Sequence, residues 1–209
     1  MPRLVGDPAV GSVHEALTTR KRYDAMISSL IGPHLRQKYF RKRRNTFCRA
    51  TEHGSTSIDF QASQFGTRDE VRFTNNLGLN FVEFQDGADG LPSLGGHIHQ
   101  RIGWLLPRGR DYWWKLDPTS DLDAVGAEII ASLDEHALPW LEEREVLETV
   151  LAAVRSDPDF IKPWQISPLS VLAARSGDTQ LAVELRELAD RRQAALQAER
   201  TLDETGEPG

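Results

Sequence analysis

Three stretches between residues 56 and 106 alternate apolar and polar residues closely enough to read as neighbouring strands of one half-buried sheet: TSIDFQAS, EVRFTNNLGLNFVEF and HIHQRIGWLL. Side chains on a strand repeat every two residues, so each stretch has two faces. In the first, Ile58, Phe60 and Ala62 oppose Ser57, Asp59, Gln61 and Ser63. In the second, Val71, Phe73, Leu77, Leu79 and Phe81 form an apolar side interrupted by Asn75, against Arg72, Thr74, Asn76 and Asn80, with Gly78 bare among them. In the third, Ile98, Ile102, Trp104 and Leu106 oppose His97, His99 and Arg101.

Helical spacing flanks this sheet. Val13, Ala16, Leu17, Tyr23, Met26, Ile27, Leu30, Ile31 and Leu35 recur every three or four residues behind a Ser12 cap, and Gly32-Pro33 predicts a break or kink near the end of that helix. Residues 37–49 predict two short strands around the charged turn RKRRN. A Gly- and Asp-rich loop fills 85–96, and a capped helix follows Ser120 or Asp121. From Arg144 the residues favour helices, among them a hairpin turning at Gly177. The predicted fold is α+β, a mainly antiparallel sheet of five or six strands packed on one face by helices, with a C-terminal α-helical extension. The expected organisation is a flexible N-terminus at 1–11, the α+β domain at 12–143, the extension at 144–200 and a disordered tail at 201–209.

Composition bounds the function. A chain of 209 residues can bury a core without staples, and no apolar run reaches the roughly 20 residues that span a bilayer. With one cysteine, Cys48, and no secretory signal, the chain is expected to be cytoplasmic. Its net charge of −6 hides a basic cluster from Arg20 to Arg49. That cluster suits phosphates, an acidic surface or a solvated hairpin edge. No aromatic or glycine-rich RNA motif accompanies the run Arg41 to Arg44 and the chain as a whole is acidic, so a nucleic-acid partner is not expected.

NTFCR at 45–49, IDFQAS at 58–63, FTNNLG at 73–78, the H-x-x-x-R-I-G string from His97 to Gly103 and the pair Trp113-Trp114 stand in order and spacing that resemble the bacterial family called domain of unknown function 4304. The resemblance covers roughly residues 14–142 and implies an α+β domain without an established activity.

The candidate chemistry gathers on the polar sheet face. His97 and His99 in a strand H-x-H share a side, with Asp59 as a conceivable third metal ligand, but surface or hydrogen-bonded histidines are the preferred reading, and neither metal nor cofactor is expected. Gln61, Ser63, Thr74, Asn76, His97 and Arg101 converge if the strands align, either as a network that fixes strand order or as a site for a ligand or partner around the Arg101 guanidinium. Trp113 and Trp114 cannot both face the core from an extended segment, and either could supply a binding anchor. Cys48 lacks a catalytic partner and reads as inert. The expected function is therefore a non-enzymatic protein-binding module, immunity-type or regulatory, with an unidentified protein partner. The alternative is a small-ligand protein or enzyme working through His97 and Arg101.

Overall fold

The computed structural model describes residues 17–82, 98–156 and 163–205. The expected N-terminal cap at Ser12, the flexible segment 1–11, the loop 85–96 and His97 lie outside the described residues. The alternating stretches become β3 (Gly54–Ala62), β4 (Val71–Phe81) and β5 (Ile98–Arg101), joined by the hairpin β1 (Arg41–Arg43) and β2 (Thr46–Thr51) and by the short β6 (Trp114–Leu116). All pairings are antiparallel. The order is β1-β2-β3-β4-β5, and β6 also pairs with β4. The registers Ile58↔Leu77 and Leu79↔Ile98 stack the apolar positions on one side, while Asp59↔Asn76 and Asn76↔Arg101 stack polar positions on the other.

Two helical segments pack on the apolar side. One runs through α1 (Thr19–Met26), a π-helical turn at Ile27–Ile31 and α2 (Gly32–Gln37); the other runs through α3 (Leu122–Ser132), a π-helical turn at Leu133–Ala137 and α4 (Leu138–Glu143). Gly32-Pro33 therefore does not break the first segment. A proline lacks an amide donor and its ring presses on the carbonyl one turn back, so a widened turn just before it absorbs the conflict. Pro139 follows the second π-helical turn in the same way. Asp121 is the cap of α3, accepting from the amides of Asp123 and Ala124. His34 Nε2 lies 2.9 Å from Asp134 Oδ1, tying the two segments beside their widened turns. Beneath them Tyr23, Ile27, Phe47, Phe60, Phe73 and Leu77 are fully buried, and the Tyr23 hydroxyl donates to the carbonyl of Phe60.

The C-terminal extension is α5 (Leu147–Ser156), α6 (Pro163–Arg175) and α7 (Thr179–Thr205). Gly177 turns the α6–α7 hairpin with a positive φ of 86°, a conformation that glycine adopts without steric cost. Leu151, Val154, Leu169, Leu172, Leu181 and Leu185 belong to the same buried cluster as the sheet's apolar face. The α7 helix runs to Thr205, so residues 201–205 of the expected disordered tail are helical. Their Leu, Asp and Glu are compatible with a helix that has already nucleated, since propagation needs far less than initiation.

Candidate functional site

β4 and its two neighbours place the polar candidates by register. Asn76 stands between Asp59 on β3 and Arg101 on β5. Its Nδ2 donates to Gln61 Oε1 at 2.8 Å, and its Oδ1 accepts from Arg101 Nε at 3.4 Å. Arg101 Nη1 then donates to Asp111 Oδ2 at 2.7 Å, and Trp113 Nε1 donates to the same oxygen at 3.0 Å. The guanidinium lies 5.3 Å from the centre of the Trp113 ring, the range of a cation–π contact. One carboxylate thus holds an arginine and a tryptophan against each other. Further along the same face, Thr46 Oγ1 donates to Asp59 Oδ1.

This network borders an open depression of about 410 Å³ lined by Asn76, His99, Gln100, Arg101, Trp104 and Asp111. The strand ends at Arg101 and a 3-10 turn at Ile102–Trp104 follows. That turn changes the side-chain period from two to three, so Trp104 leaves the apolar side where alternation placed it and stands 47% exposed. His99 sits at the rim on a strand whose outer edge is covered by α6, where Gln165 Nε2 donates to the His99 carbonyl at 3.0 Å. Burial lowers the His99 pKa below its ordinary value, which favours a neutral imidazole.

The other candidates are distributed differently. Thr74 is on the polar face opposite Gln61 but is fully buried, and its hydroxyl has no partner among the described residues. Ser63 lies past the end of β3, where its Oγ accepts from the amide of Phe65 and shapes the turn to β4. Trp114 lies in the core: opposite Phe73 in register, it faces the apolar side, stacks on the Phe73 ring at 5.8 Å and donates to Glu128. Trp113, one residue earlier, therefore takes the polar side. Asp111 and Trp104 were not among the sequence candidates. Asp111 precedes Trp113 by two residues, the spacing that puts both on one side of an extended segment, and that is the signal by which it could have been found.

Among the described residues no three His, Cys, Asp or Glu side chains gather closely enough to hold a metal ion. Cys48 is half-buried on the polar face, and burial raises its thiol pKa, with Arg43 opposing the shift. A protonated thiol is a poor nucleophile.

The sequence model for Domain of unknown function (DUF4304) matches residues 31–143. The chain belongs to this family. Comparison with curated proteins and with solved structures finds no match. The DUF4304 match contains Gln61, Asn76, Arg101, Trp104, Asp111 and Trp113, so the whole network falls within the family's own segment. Helices α5 to α7 lie outside it.

Proposed function

We propose that this DUF4304 domain is a non-enzymatic protein-binding module, immunity-type or regulatory, working in a bacterial cytoplasm, and that its partner docks on the depression beside β5. The observation that carries this reading is Asp111 clamping Arg101 against Trp113 next to the exposed Trp104. Tryptophan and arginine are the side chains that most often dominate a protein interface. Arg101 and Asp111 are 34% and 40% exposed, and an ion pair that open to solvent contributes only about 0.2–1 kcal/mol to folding. The network is thus better explained by fixing side chains in advance of binding, which saves about 0.5–1.5 kcal/mol of ordering cost for each long side chain. A lone protonated thiol and a neutral His99 give the face no paired nucleophile and base among the described residues. A cytoplasmic setting agrees with the single cysteine and with the described helices, none of which is long and apolar enough to cross a membrane.

A photo-reactive amino acid at position 104, introduced in the producing organism, should yield one discrete cross-linked polypeptide that disappears when Asp111→Ala is added. The same probe at the exposed Val183 on α7 is the control. Identical patterns from the two positions would remove the reading. The depression's volume of about 410 Å³ supports a second reading, since it falls in the range of small-molecule sites. A bound small molecule found by native mass spectrometry, with no cross-link at position 104, would favour that one.

A further inference from the structure

We propose that the β1 edge, on the far side of the sheet from the Arg101 depression, is a binding surface for single-stranded nucleic acid. Between Asp24 and Glu52 the chain carries no acidic residue. Some of the cations there are engaged: Arg49 pairs with Glu142 and Glu145, Lys38 lies 4.0 Å from Asp134, and Lys42 donates to Ser28. Arg41, Arg43 and Arg44 are exposed, and no carboxylate pairs with them among the described residues.

The chain carries an aromatic two residues before this run. Tyr39, two residues past the end of α2, has a φ of 67° and is 84% exposed. Its amide donates to the carbonyl of Arg36 at 3.0 Å, and the next amide, of Phe40, donates to Leu35. That tight reversal lets Phe40 plug the core while the Tyr39 ring is presented to solvent. The two bonds form a Schellman cap on α2, which places a left-handed residue at this position, and here that residue is a tyrosine and not a glycine.

Arg41 and Arg43 lie two residues apart on one face of the strand, about 7 Å along it, on the order of the step between successive phosphates of an extended strand. Arginine forks match phosphate oxygens, and an exposed aromatic ring beside cations gives a base a face to stack on. An acidic protein segment would pair with the same arginines but makes no use of the bare ring.

Fluorescence anisotropy of a labelled single-stranded RNA of ~12 nucleotides with the full chain, across a salt series, tests this. Binding should weaken with salt by about 0.7 in log–log slope for each phosphate contacted. Arg41→Ala, Arg43→Ala and Arg44→Ala together should flatten that slope by about 2. Tyr39→Ala should weaken binding about tenfold at every salt concentration and leave the slope unchanged. All four positions are exposed, so these variants keep the core intact. No binding at about 50 mM salt, a slope indifferent to the arginines, or a polyglutamate peptide that binds as tightly with Tyr39→Ala as without it would each overturn the proposal.

Discussion

A methyl group on Gly103 would sit 2.4 Å from the backbone nitrogen of Tyr112. The carbonyl oxygen of Arg110 would be 2.6 Å away, so the 3-10 turn after β5 and the segment before β6 pass each other with no room for a side chain. That approach is what brings Asp111 to Arg101. Gly103→Ala must push a backbone aside, and overpacking of this kind costs about 1–3 kcal/mol. The urea midpoint should fall and the cross-link from position 104 should vanish with it. Unchanged stability and cross-linking would mean that the 110–112 segment yields freely and that Gly103 does not set the site.

Asp111→Asn separates position from stability. The amide keeps the shape but loses the charge that draws Arg101 and Trp113 together. Because the pair is partly exposed, folding should lose no more than about 1 kcal/mol. Partner binding should lose about 2 kcal/mol or more if Arg101 and Trp113 are the anchors. Urea denaturation and binding of the cross-linked partner read the two separately, and a large stability loss would mark the network as structural.

Much of this arrangement was legible because β3, β4 and β5 keep a period of two, broken on the apolar side of β4 only by Asn75. Once Ile58, Leu77 and Leu79 are assigned to the core side, Gln61, Thr74, Asn76 and Arg101 must share the other. Trp104 escaped this logic because the chain changes period at Ile102, and no residue before the turn announces it. Asp111 escaped because its contact with Arg101 depends on the close approach of the 110–112 segment to Gly103, which the absence of a side chain there permits. Pro33 signalled a break, but a break and a π-helical turn begin from the same missing amide, and only packing between the two helical segments selects the latter. Which of Trp113 and Trp114 enters the core depends on the pairing of β6 with β4 in one register and not the next.

His99 gives the fold a pH dependence of known sign. Burial holds its folded pKa below the ordinary value of 6.5. As pH falls past 6.5, the unfolded chain takes up the proton first, so stability is lost progressively until the folded pKa is passed. Urea midpoints should therefore drop between neutral pH and the acid side of that window more for the native chain than for His99→Gln. An equal drop in both would place the pH dependence in other groups.

Asn75 is the one polar residue on the apolar side of β4, between Phe73 and Leu77 and opposite Phe60 in register. It is fully buried, and neither its Nδ2 nor its Oδ1 has a hydrogen-bond partner among the described residues. Leaving a buried polar group unmatched costs about 1–3 kcal/mol. Leucine keeps the branch at the γ position and removes both unmatched atoms. Asn75→Leu should therefore stabilise the domain by about 1–2 kcal/mol in urea denaturation, after some of the gain is offset by the larger side chain. Asn75→Asp should do the opposite and by more, because a carboxylate at that position is either desolvated or forced to take up a proton. A loss of stability in Asn75→Leu would show that the amide is bonded in solution, most simply through a buried water that bridges it to a neighbouring carbonyl.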